Sequence, residues 1–255
     1  MNAAIGRHCS FVIKRFSPRT NVTRHSIQQR QVVRASMSSS TTTTNERADA
    51  ILDYWLGASW RTVGEWDFDH SRLQLWFGKN DDVDSEIRTL FGEDIERLSN
   101  GSYDGWNRVV NEGAGYEEGL AFCILGDQFC RNVFRNTKDM YKADDKVLPL
   151  AKRLLQDVHS IPISQRFFLL LPLMHSENIE DQEACVAAFK ELLEKAKAGQ
   201  HDGALEFLNY SVQYAIDHRD IVAKYGRFPH RNALLGRENT PEEVEGFNQG
   251  SIKSF

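Results

Sequence analysis

Three short stretches of the chain set acids, bases and guanidinium groups directly beside dense apolar sequence. The first is Asp127-Gln128-Phe129-Cys130-Arg131-Asn132-Val133-Phe134-Arg135. Asp127 and Arg131 are spaced i, i+4, so on a helix they share a face and pair, with Arg135 one turn further along it. Two readings stay open: a structural salt bridge between helices, or guanidinium donors to an anionic ligand. The second stretch is Leu171-Pro172-Leu173-Met174-His175-Ser176-Glu177-Asn178. His175 reads as a proton carrier or ligand, while Ser176 or Glu177 equally suits an N-cap for a helix starting near Ile179. The third runs from Tyr214 to Arg237 and holds His218, Asp220, Arg227, His230, Arg231, Asn232 and Arg237. Residues 221–237 contain four cations and no acid. With Gly226, Pro229 and Gly236 they read as a constrained loop. Such a loop either cradles a phosphate, carboxylate or nucleotide or spends its arginines on helix ends and nearby carboxylates.

Helices must position these groups. Apolar residues recur at three- and four-residue spacing through most of the chain, and period-two alternation is nearly absent, which predicts an all-α fold of about eight to ten helices. Asn45 is expected to cap a first helix carrying Ile51, Leu52 and Trp55, ended by Gly57. Asp84 and Asp144 are expected caps of two later helices. Residues 117–134 read as one long apolar helix, and Arg166–Met174 as a buried one that Pro172 should bend or end. Residues 179–198 and 204–225 follow as helices, and Thr240-Pro241-Glu242-Glu243 announces a last one through a capping box.

The charge divides the chain. Net charge is −5, yet residues 1–45 carry seven cations and no acid, leaving a balance of −12 over residues 46–255. Residues 1–44 are Arg- and Ser-rich, as an organellar transit peptide is, and lack the apolar core of a secretory signal. Val33-Arg34-Ala35-Ser36 is similar to the end of a plastid transit peptide, which places a plastid ahead of a mitochondrion. A start at Met37 would instead give a cytosolic form. Residues 45–250 are expected to form a single all-helical domain. Its acidity argues against a nucleic-acid partner, and no apolar run is long enough for membrane insertion.

Several chemistries fail on spacing. The chain has no His-Glu-x-x-His, no phosphate-binding Walker loop, no Gly-x-Ser-x-Gly and no Gly-x-Gly-x-x-Gly. It has no Cys-x-x-Cys, and Cys123 and Cys130 lie two helical turns apart, too far for a disulfide. Cys130 beside Arg131 reads either as a thiol of lowered pKa or as a small buried group. His175, Glu177, His218 and His230 are a weak metal set, since no two histidines are spaced i, i+4. No cofactor is assigned.

The three stretches, in this order, resemble the uncharacterised family called domain of unknown function 924, over roughly Ala48 to Val244. Ile51-Leu52-Asp53-Tyr54-Trp55-Leu56-Gly57, Asp127 to Asn132, Pro172 to Glu177 and Tyr225-Gly226-Arg227-Phe228-Pro229-His230-Arg231-Asn232 carry the resemblance. It implies a tetratricopeptide-like, right-handed arrangement of helices and no established reaction. Cys130 stands where the family usually has Pro, Phe134 for its Tyr, and Asn136 for its Gly.

Two main functions stay open. In one, Asp127, Arg131, Asn132, Arg227, His230, Arg231, Asn232 and Arg237 bind a small anion. His175 or His218 then moves protons with a carboxylate, the pairs considered being His175–Glu177 and His218–Asp127. In the other, the same residues are structural and the helices form a scaffold for a peptide segment. A metal-dependent hydrolase is a third, weaker alternative. The first requires the three stretches to meet in one pocket.

Overall fold

The computed structural model describes residues 44–107, 116–156 and 161–253. The basic leader lies outside the described residues. Among the described residues there are ten helices and no strand. In order they are α1 (Thr44–Leu56), α2 (Leu73–Phe77), α3 (Asp81–Ser99), α4 (Glu117–Cys123, a π turn at Ile124–Phe129, then Cys130–Val133), α5 (Asp144–Leu154), α6 (Ile163–Met174), α7 (Ile179–Ala198), α8 (Asp202–Tyr225), α9 (Asn232–Leu235) and α10 (Pro241–Gln249).

α6 is the centre of the molecule. Every one of its residues is buried: beyond the first turn its sequence is apolar on all sides and α4, α5 and α7 pack around it, and in that turn Gln165 and Arg166 donate to the Trp60 and Ile161 carbonyls. A helix apolar all round has no solvent face to offer, and each fully buried Leu or Phe contributes about 1.5–3 kcal/mol. Pro172 stays inside the helix, in its last turn, so only one backbone bond is forfeited there. One buried cluster runs from Ala48 of α1 to Ala215 of α8. A small second cluster, Ile221, Val222 and Phe228, anchors the end of α8.

The structure corrects several expected boundaries. α1 begins at Thr44, so Asn45 lies within it. α3 is capped by Asn80, whose side chain accepts from the Asp82 and Val83 amides, which leaves Asp84 free for other partners. Asp144 is the first residue of α5 rather than a side-chain cap. Asn178, not Ser176 or Glu177, caps α7. The 221–237 stretch is mostly helical: α8 continues to Tyr225, Gly226 turns the chain at φ 69°, and a 3₁₀ turn at Pro229–Arg231 leads into α9. Thr240 and Glu243 do form the reciprocal capping box.

Segment 117–134 is the most consequential difference. The π turn, closed by the Cys130 amide on the Leu125 carbonyl, widens the helix at Asp127 and Gln128. π turns of this kind concentrate at functional sites because they re-aim side chains without ending the helix. A proline at position 130 lacks the N–H that closes the turn here.

After α4 the chain reverses at Asn136, with φ 62°. Glycine takes this left-handed region freely, and asparagine tolerates it better than other residues. That accounts for Asn at this position. Asn136→Gly is expected to leave stability within about 0.5 kcal/mol, while Asn136→Val loses about 1–2 kcal/mol. Urea denaturation of the two variants checks this.

Candidate functional site

α4, α6, α8 and the 3₁₀ turn before α9 enclose a cleft of about 770 Å³. It brings Arg131, Asn132, His175, His218, His230 and Arg231 to one place, so side chains from all three stretches meet.

Asp127 organises the inner end. It is 2% exposed, and its Oδ1 lies 2.7 Å from Nδ1 of His175 and 3.0 Å from the Arg131 guanidinium. Gln128 donates its amide to Oδ2. Burial alone would raise this carboxyl, but Arg131, His175 and Gln128 outweigh it and hold the pKa down to about 2. An ionised Asp127 only accepts, so the shared proton sits on Nδ1 of His175. Nε2 of His175 has no hydrogen-bond partner among the described residues, and the ring lines the cleft. Burial, reinforced by Arg131 and Arg231, outweighs Asp127 and lowers the His175 pKa. A neutral imidazole fixed in one tautomer by a carboxylate, with its other nitrogen open, is built to accept a proton.

Arg131 is held in turn by Asp144, with both terminal nitrogens 2.9 Å from its carboxylate oxygens. Burial opposes its charge, but Asp127 and Asp144 prevail and raise its pKa. Arg135 and Asn132 both bond to Asp84 of α3, at 2.6 Å and 2.7 Å. The i, i+4 pair is therefore real, but it is embedded in a wider network.

His218 is paired differently from either expected pattern. Its Nδ1 lies 2.8 Å from the Tyr214 carbonyl, an acceptor, so that nitrogen carries the proton. Its ring centroid lies 6.2 Å from that of His175 and 5.6 Å from that of Phe228. Burial first, then the neighbouring His175, pushes its pKa well below the ordinary value. His230 is lowered to about 4, by burial and then by Arg231.

The remaining expected site residues do other work. Glu177 does not meet His175. Its carboxylate accepts two bonds from Arg237, at 2.7 and 2.8 Å, and one from the Phe228 amide at 2.8 Å. That clamp pins the start of the 3₁₀ turn against the end of α6. Arg227 is likewise spent: Nε and Nη2 grip Glu243 at 2.7 and 2.8 Å. Asn232 donates to Asn239 at 2.8 Å and to Glu243 at 3.1 Å. Arg227, Arg237, Asn232 and Glu177 thus frame the cleft and do not line it. Attraction between unlike charges explains the change: acids from outside the acid-free stretch find its arginines.

Arg231 is the exception. It is 7% exposed, and no carboxylate, carbonyl or other acceptor among the described residues takes a hydrogen bond from its side chain. It lies instead over two rings, Phe228 at 4.3 Å and Tyr141 at 4.7 Å from the ring centroids. Burial, then repulsion from Arg131, lowers its pKa to about 10. Aromatic faces stabilise a cation but do not saturate its N–H donors.

Tyr141 is not among the residues the sequence singles out, Asp84 and Asp144 figure there only as expected helix caps, and Tyr214 only as the start of the third stretch. Tyr141, Asp144 and Asp84 meet their arginines from other elements, and no local spacing announces such a contact; Tyr214 meets His218 one turn along α8. Cys130 is a buried thiol pushed up to about 12 by burial, which removes the lowered-pKa alternative. No three His, Cys, Asp or Glu side chains among the described residues are placed to hold a metal. No helix among them is long and apolar enough to cross a membrane.

The buried histidines make stability depend on pH. A folded His230 pKa near 4 lies below the unfolded value near 6.5. Between those values the unfolded chain binds the proton and the folded chain does not, so stability falls as pH falls from about 6.5 toward 4. His218 acts in the same direction. The urea midpoint is expected to be lower at pH 5 than at pH 7.5, with a shallower fall in His230→Asn.

Residues 51–251 match the family described as bacterial protein of unknown function, DUF924. A solved structure of a protein of unknown function from Agrobacterium tumefaciens is 30% identical, with a TM-score of 0.61 over 81% of this chain and 99% of that one. No curated protein matches in sequence. The matched span and the agreement in fold give one conclusion: this chain belongs to the DUF924 family.

Proposed function

We propose that the cleft binds a small anionic molecule and that His175, oriented by Asp127, acts on it as a general base. The carrying observation is Arg231, a buried guanidinium with unused donors at the wall of the cleft that His175 also lines. The Arg231 Nε is buried without an acceptor, which is costly, and its terminal nitrogens are left to the cleft, where an anion from solution would take charge-assisted bonds. His175 offers the proton-accepting nitrogen beside it, and a tautomer fixed by a carboxylate is the arrangement general bases use. Asn132 and Gln128 supply neutral polar contacts at the same wall.

Untargeted metabolite capture on purified protein tests the reading. Wild type is expected to retain an anionic compound that Arg231→Gln does not. His175→Gln should retain it and leave it unchanged, where wild type converts it. A flat capture profile for wild type and Arg231→Gln alike would favour the helical scaffold instead.

A further inference from the structure

We propose that the ligand is an amphiphilic monoanion: one carboxylate on an extended apolar body, lying along α8. This rests on the anion-binding reading and narrows it to a substrate class. The shape comes first. One face of α8 lines the cleft from Asp202 to His218, through residues spaced three and four apart. At 1.5 Å per residue that wall is about 24 Å long. The volume of about 770 Å³ lies in the range of sites for drug-sized ligands. Acetate or inorganic phosphate would fill a small corner of it.

The two ends differ in chemistry. The end near His218 holds His175, Arg131 and Arg231. Facing the rest of α8 are Trp76, Phe77, Phe167 and Leu171, an aromatic and aliphatic wall on which half-buried Phe77 keeps apolar surface for a ligand to cover. Asp202 and Glu206 line the far end and repel a carboxylate, which fixes its direction toward Arg231.

The charge sets the valence. Arg131 already meets two carboxylates, Asp127 and Asp144, and Arg135 meets Asp84. Among the described residues, Arg231 alone of the cleft arginines has no carboxylate in contact. Arg231 offers its donors to one anionic head, and the second acid beside Arg131 leaves the cluster no surplus positive charge for a dianion. A phosphate dianion would bring a second charge into a buried place without compensation.

Titration calorimetry on the full chain, with sodium acetate, butanoate and octanoate, octyl phosphate, octylamine and 1-octanol, tests the proposal. Carboxylate affinity is expected to rise about three- to four-fold per added methylene. Arg231→Gln should weaken octanoate at least ten-fold while keeping the chain-length trend. Leu205→Asn, at a half-buried cleft position, should flatten that trend instead. Circular dichroism confirms folding of each variant. Equal Arg231-dependent binding of acetate and octanoate would leave the anion site standing and overturn the amphiphile. Octylamine or octanol binding as tightly as octanoate would overturn the charge argument, and tighter binding of octyl phosphate would overturn the single charge. No anion binding at all by folded wild type would overturn both readings.

Discussion

Asp127→Ala is expected to cost about 3–5 kcal/mol of folding stability. The carboxylate is nearly inaccessible and serves three donors at once: Nδ1 of His175, the Arg131 guanidinium and the Gln128 amide. Removing it strands a buried imidazole N–H and a buried amide, and takes from Arg131 one of its two acids. Each unmet buried donor costs roughly 1–3 kcal/mol, and more where a charge is involved. The Asp144 pair keeps the loss from being larger. A pH signature accompanies the mutation. The folded Asp127 pKa near 2 lies below the unfolded value near 3.9, so its contribution is whole above about pH 4 and disappears as pH falls toward 2. Urea denaturation at pH 7 and at pH 3 is the measurement. Wild type should lose stability between them through this group, and Asp127→Ala should lack that component. A loss below about 1 kcal/mol at pH 7 would mean that the carboxylate does not hold this network.

Arg231→Met is expected to do the opposite: stability close to wild type, ligand binding strongly weakened. The substitution removes a buried cation that has no acceptor, which favours folding, and forfeits stacking on Phe228 and Tyr141 worth about 0.5–2 kcal/mol. Methionine refills much of the volume with polarizable apolar atoms that also suit aromatic neighbours. The two effects offset to within about 1 kcal/mol of folding stability. Binding of an anion, by contrast, loses a charge-assisted contact made in a buried place, about 2 kcal/mol or more, hence roughly a thirty-fold or larger loss of affinity. Thermal melts paired with calorimetry measure both. If Arg231→Met is strongly destabilised, the guanidinium is a structural element and the functional reading loses its support. Together the two variants separate a group kept for the fold from a group kept at the fold's expense.

Helices were the most legible feature of the chain. α7 begins at Ile179 and ends at Ala198, as its apolar stripe and Gly199 predict, and the capping box at Thr240 and Glu243 is present. These follow from contacts between residues three or four apart, and sequence records such contacts directly. The π turn was not legible, because its one-residue widening leaves the apolar pattern of α4 nearly unchanged. The caps at Asp84 and Asp144 failed for a related reason. Both aspartates suit a helix start, but Arg131 of α4 and Arg135 just beyond it claim them through space.

By itself, the sequence determined that the chain is helical, that the run ending at Met174 is a buried helix, and that polar groups of three stretches adjoin apolar ones. It also singled out the acid-free stretch from Arg227 to Arg237. Only the tertiary structure decided which of those groups pair. His175 takes Asp127, 48 residues away, and not nearby Glu177, while Arg237 takes Glu177 from 60 residues away. The physical reason is that an ion pair is chosen by distance in space and by the cost of burial, neither of which is written in local spacing. Once Glu177 and Glu243 have claimed Arg237 and Arg227, Arg231 is left without an acid. That remainder, and not the abundance of cations in the segment, marks the site.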